Sequence, residues 1–269
     1  MRACVTRLLI VLTCLLPASL ADARVMLSHR AVYSLSTGDL QSGSDVAEVD
    51  GRLVVEAIEE CDGFILNQRI VTRTTSTQGE ETLSDLRMAL WESREGDRLR
   101  FNIASLINGR LVREDDGDAR LYGNPRSGVA SFGSDEPASL PLPAGTMFPS
   151  THNLMILRKA RGGDRLLPAT IFDGSREDGV YDTFTVIGSR RDDSVEARRG
   201  QPLLEGVVSW PVRTGYFILD QDQSEPDFEI GYTLFENGVA GDLELDYGDF
   251  VIAGRLRSLE ELPTPVCTE

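Results

Sequence analysis

Two distant cysteines, two histidines and a surplus of carboxylates are the residues of this chain that could do chemistry. Cys4 and Cys14 fall inside an N-terminal segment that reads as a cleavable export signal, leaving Cys61 and Cys267 to the mature chain. In an oxidising compartment two cysteines most simply pair with each other. Such a bond would tie an early strand to the extreme C-terminus and close nearly the whole mature chain into one loop. On the chain-entropy view a loop that long is worth roughly 5 kcal/mol, less any native-state strain. The alternative is two free thiols. A nucleophilic role for Cys61 would compete with the bond.

His29 and His152 are the only histidines, and neither has a Cys or a second His at metal-ligand spacing. His152 falls in an apolar helical stretch and reads as a satisfied core histidine. Asp220, Asp222 and Ser224 open like a calcium loop, but Glu225 stands where such a loop needs Gly, and Gly231 where it needs Glu. Asp242, Glu244 and Asp246 alternate with Leu243, Leu245 and Tyr247, the spacing of a solvated strand face over a packed one. No carboxylate pair stands out for glycoside chemistry. The sequence has no Gly-x-Ser-x-Gly elbow, phosphate-binding glycine loop or Cys-x-x-Cys. The expectation is a non-enzyme, with no catalytic, cofactor-binding or metal-ligating residue to name and no cofactor.

Met1–Ala23 has the parts of a secretory signal: Arg2 and Arg7, the apolar run Leu8–Leu16, and Ala21-Asp22-Ala23 as a small-x-small site, with cleavage expected after Ala23. The apolar run falls short of the roughly 20 residues a permanent span needs, and no later stretch approaches that length. Lipid attachment at Cys14 would follow Thr13, a poor fit to the small residue such sites want. The mature chain, 24–269, is therefore expected to be soluble in the periplasm. Its formal net charge, −16 for the whole sequence, argues against nucleic acid or an anionic membrane face as partner. Lys159 is the only lysine, a bias best read as genome composition.

The elements that must position these residues are mostly strands. Ser28–Leu35, Leu53–Ile58 and Phe64–Thr72 alternate in character, with Asp62-Gly63 as the turn between the last two. Glu81–Ser93 and Arg98–Leu106 follow around Arg94–Asp97, Asn108-Gly109 marks a tight hairpin, and Asp115–Asp118 reads as the next reversal. One helix, Ser150–Arg161, starts with Pro149 in its first turn and stops at Gly162-Gly163; apolar Leu154–Leu157 suggests that sheet encloses it. Leu166–Phe172, Val180–Ile187, Leu203–Leu219, Phe228–Phe235 and Asp242–Ile252 continue as strands, Pro211 implying an edge or bulge. Ser258–Leu262 has the Ser-x-x-Glu pattern of a capped helix. The fold class is all-β: an antiparallel, many-stranded sheet that curls or closes. Residues 24–269 form one domain in two strand-rich halves, roughly 24–145 and 146–269.

Several stretches together resemble one family. They are Ser28–Tyr33, Cys61-Asp62-Gly63-Phe64 with Gln68-Arg69, Leu142–Pro149 with His152, Phe172–Ser175, and Asn237-Gly238-Val239 with Leu245–Phe250. They are similar to the cell-envelope integrity protein B family of periplasmic proteins, formerly a family of unknown function. The likeness spans essentially the whole mature chain, with Phe64 a conservative departure from a more frequent Trp. It implies a strongly curved sheet, a β-spiral or half-open barrel around one central helix, pinned by a disulfide between Cys61 and Cys267. It further implies a non-enzymatic role in envelope integrity and a periplasmic tetratricopeptide-repeat protein as partner. The competing expectation is a carrier, in which the curved sheet and its apolar helix open into a lipid-sized pocket.

Overall fold

The computed structural model describes residues 26–133, 138–175, 179–192, 199–219 and 224–267. The predicted leader and its cleavage site after Ala23 lie outside these residues, as do Asp220 and Asp222 of the calcium-like stretch.

Alternating sequence produces a long meander: β1 (His29–Leu40), β2 (Val46–Glu59), β3 (Gly63–Ser76), β4 (Glu81–Ser93), β5 (Arg98–Ile107), β6 (Arg110–Tyr122), β7 (Ser127–Phe132) and β8 (Ala138–Leu142). The turn between β5 and β6 needs two left-handed residues, and Asn108 (φ 51°) and Gly109 (φ 76°) supply them. Next come β9 (Thr146–Met147) and the helix α1 (Pro149–Gly162), which Gly163 ends at φ 83°. The second half holds β10 (Leu166–Phe172), β11 (Val180–Ile187), β12 (Ser209–Ile218), β13 (Phe228–Phe235), β14 (Ala240–Asp246) and β15 (Phe250–Glu261).

All fifteen strands form one sheet, in the order β8 back to β1, then β15 back to β9. The first and last strands therefore pair at its centre. Its two outer edges, β8 and β9, are consecutive in sequence and joined only through Pro143-Ala144-Gly145. That link holds the edges together and leaves the sheet curled into a nearly closed barrel.

Inward side chains gather in four apolar clusters, some joined through partly buried residues such as Tyr232, Leu256 and Leu259: Leu90, Leu99, Phe101, Phe132 and Phe172 in the first; Tyr33, Leu35, Leu53 and Ile252 in another; Leu204, Phe235 and Val239 in a small one. The fourth seats α1, whose Ile156, Leu157 and Ala160 pack on Leu167, Ile187, Trp210 and Leu234. Enclosure of α1 is one-sided, because Asn153, Arg158 and Arg161 are exposed.

Several segments differ from their sequence reading, each for a tertiary reason. Ser258–Leu262 is no helix: Ser258, Leu259 and Glu260 pair with Val32, Ala31 and Arg30. Arg30 reaches both Glu56 (2.8 Å) and Glu260 (3.1 Å) across that ladder. Asp115–Asp118 is no reversal but the middle of β6; Asp115 turns inward to Arg113 (2.6 Å), and a Cβ on Gly117 would lie 2.9 Å from the Phe101 ring. Pro211 lies in a strand paired on both sides, where its carbonyl accepts the Gly188 N–H (2.7 Å) just past the end of β11. The absent N–H thus removes no bond from β11 itself. Leu203–Leu219 is broken by a 3-10 turn, Pro202–Leu204, before β12 begins. Asp242–Ile252 is two strands, divided at Tyr247-Gly248-Asp249.

Candidate functional site

Cys61 sits in the turn between β2 and β3, and Cys267 just beyond β15. They are bonded, with an S–S distance of 2.06 Å, a Cα–Cα distance of 5.5 Å and a sequence separation of 206. Both cysteines are exposed. Arg94, in the next turn at the same end of the barrel, donates to the carbonyls of Glu60 (2.5 Å) and Cys61 (3.2 Å) and to the Glu59 carboxylate (3.0 Å). The other Glu59 oxygen accepts the Met26 N–H (3.3 Å), and Leu262 N–H bonds the Ser28 carbonyl (2.8 Å). The start and end of the described chain are thereby fastened to the turn that carries Cys61.

α1 bars this same end of the barrel. Phe148 provides no side-chain cap, and buried Glu92 on β4 takes over, accepting the N–H groups of Ser150 (2.7 Å) and Thr151 (2.9 Å) and the Thr151 hydroxyl. Desolvation raises the Glu92 pKa against the pull of these donors. Gly96 is needed beside them, since any Cβ would strike Thr151 Oγ1.

The histidines have separate surroundings. His29 Nδ1 lies 2.7 Å from the Leu27 carbonyl. His152 is buried on α1, its Nε2 has no hydrogen-bond partner among the described residues, and burial pulls its pKa down to about 4. Of the alternating acids, Glu244 and Asp246 join Glu229 around Arg213 on the outer face (2.5, 3.8 and 2.9 Å), while Leu243 packs inward. Asp242, the first of the three, adopts φ 51°. Among the described residues no group of three or more His, Cys, Asp or Glu could hold a metal.

The opposite end of the barrel is where sequence spacing gives least warning. There the inner face carries a row of rings, Tyr181, Tyr216, Phe228, Tyr247 and Phe250, from β11 across to β15. Tyr216 stacks on Phe228 at 4.4 Å, Tyr181 meets both edge-on (5.8 and 5.6 Å), and Tyr247 links Phe228 (6.4 Å) to Phe250 (5.2 Å). Each ring follows strand alternation, but only the cross-strand register unites them. Asp173 lies near Tyr216 and accepts the Ser175 N–H (2.8 Å); burial pushes its carboxyl up to about 6. No described helix is long and apolar enough to cross a membrane.

The profile of the EipB-like family matches residues 20–263. The chain belongs to the EipB-like family. It is 30% identical, over 90% of its length and 87% of the relative's, to the cell envelope integrity protein EipB of Brucella abortus. A crystal structure of a β-barrel-like protein of the DUF1849 domain from Brucella abortus superposes with a TM-score of 0.82 at 28% identity, covering 88% of this chain and 99% of that one. Membership thus accounts for the curled sheet. The EipB-like match includes Cys61 and stops just short of Cys267.

Proposed function

We propose that this chain is a periplasmic, non-enzymatic protein that supports envelope integrity by docking another protein, the tetratricopeptide-repeat protein that its family resemblance implies. Its EipB relative, named for envelope integrity, supports the first part. The observation that carries docking is an apolar patch on the outer sheet face. Leu166 lies opposite Val186, and Pro168 opposite Phe184; Leu166, Val186 and Phe184 are 52%, 46% and 44% exposed. Charge borders the patch, with Arg213 and its carboxylate partners standing opposite Val186. A patch of four neighbouring apolar side chains costs solubility unless something covers it.

Affinity capture from periplasm with wild type and a Phe184→Asp/Val186→Asp variant tests the proposal. The variant should fold normally and lose a tetratricopeptide-repeat protein that wild type retains. Equal recovery by both, or none by either, overturns it.

A further inference from the structure

We infer that the outer wall of β4–β6, beside the end barred by α1, is a binding site for a small phosphate monoester such as a sugar phosphate. A recess of about 390 Å³ opens there between Trp91, Arg98, Arg100, Asp118 and Arg120, within the ~300–1,000 Å³ of small-molecule sites. Register brings the cations together: Arg100 lies opposite both Trp91 and Asp118, and Arg98 opposite Arg120. Like charges directly opposite each other destabilise a sheet, and here the nearby carboxylates relieve them poorly. Arg98 stands 3.7 Å from Asp97 and Arg120 3.5 Å from Asp118, too far for charge-assisted hydrogen bonds. Arg100 meets only the Trp91 ring, at 5.1 Å, with no carboxylate partner among the described residues. By contrast, Arg30, Arg69 and Arg213 hold carboxylates at 2.8, 2.9 and 2.9 Å. On a chain of net charge −16, three under-compensated guanidinium groups in one recess are a local inversion of sign.

Geometry decides which anion they take. Arg98 and Arg100 are two residues apart on one strand face, ~6.6 Å, and Arg120 stands ~5 Å across from Arg98. Three planar forks at the corners of such a triangle converge on one tetrahedral group: a phosphate monoester offers three oxygens, whereas a carboxylate's two oxygens are matched by a single fork. Trp91 holds two of the forks in advance, with Arg98 and Arg100 over its ring at 5.9 and 5.1 Å. The organic half of the ester has a place beside them, because the flank beyond Arg120 and Asp118 carries uncharged Val129, Ser131 and Pro141, all exposed. Asp118, the one carboxylate among the described residues lining the recess, can accept from sugar hydroxyls. The negative charge of the whole chain turns away extended polyanions, which would have to lie across the rest of the wall.

The test uses the mature, disulfide-intact chain with glucose 6-phosphate as probe. Calorimetry should record one site per chain with a Kd of about 1 mM or tighter, and emission from Trp91, which lies in the site, should change in step. Arg100→Gln and Arg120→Gln are exposed changes that should melt as wild type does, and each should bind about tenfold more weakly or worse. Arg87→Gln, on the same wall but outside the recess, should bind as wild type does. No binding by wild type overturns the inference, as does equal binding by the Arg100 and Arg120 variants. Inorganic phosphate binding as tightly as the ester overturns the ester assignment, and glucuronate doing so overturns the choice of phosphate. None of these readouts depends on whether the Phe184 patch captures a protein.

Discussion

Glu92 on β4 caps Thr151 at the head of α1, an N-terminal cap supplied from 59 residues earlier in the chain. The carboxylate thereby ties one wall of the barrel to the helix that bars its end.

Replacing Glu92 with Ala should strand the first N–H groups of α1 and lower stability by about 2 kcal/mol or more. Urea unfolding checks this. A loss confined to a few tenths of a kcal/mol would mean that water serves the helix end equally well.

The cross-link is expected to act on the unfolded chain. With its ends separated by 206 positions in sequence, opening it should lower stability by up to about 5 kcal/mol. Cys267→Ser, Cys61→Ser and reduced wild type should melt together and well below oxidised wild type.

Arg94 and Arg213 separate buried from exposed ion pairing. The Glu59 side chain facing Arg94 is only 6% exposed, while Glu244 beside Arg213 is 52% exposed. Arg94→Ala should therefore destabilise by about 2–4 kcal/mol and Arg213→Ala by less than about 1. Comparable losses in denaturant titration would refute the distinction.

Two buried groups pull the acid response in opposite directions. His152 is held down at about 4, so its contribution is intact above its ordinary 6.5 and drains away as pH falls toward 4. Asp173, raised from 3.8 to about 6, contributes fully below 3.8 and loses that contribution as pH rises through 6. His152→Leu should gain on wild type as pH falls from 6.5 to 4. Asp173→Asn keeps an acceptor for Ser175, and should exceed wild type by about 1–2 kcal/mol above pH 6, converging toward pH 4. Melting curves across pH 4–8 give both answers.

Strand alternation, the Asn108-Gly109 turn and the Gly163 stop were legible because each is decided by a few neighbouring residues. β6 was not, because Gly117 answers to the Ser131 carbonyl of β7 and the Phe101 ring rather than to a turn. The Ser258–Leu262 stretch carries a real helix-start pattern, overridden by pairing with β1 at a separation of more than two hundred residues. The ring row was hidden for the same reason: Tyr181 and Phe250 share a face only once β11 through β15 are in register. Sequence placed Cys61 and Cys267 in one bond, yet gave no hint that Arg94 would brace the turn beside them.

Among the described strands β15 alone bridges the two series, pairing with β1 on one flank and β14 on the other. Until it arrives, β1–β8 and β9–β14 are two separate ribbons on a short tether, each with raw margins open to mispairing. Emerging after the other described strands during synthesis, β15 works as the closing tooth of a zip. A chain truncated before Phe250 should accordingly yield sticky, aggregating halves rather than a slightly weakened barrel.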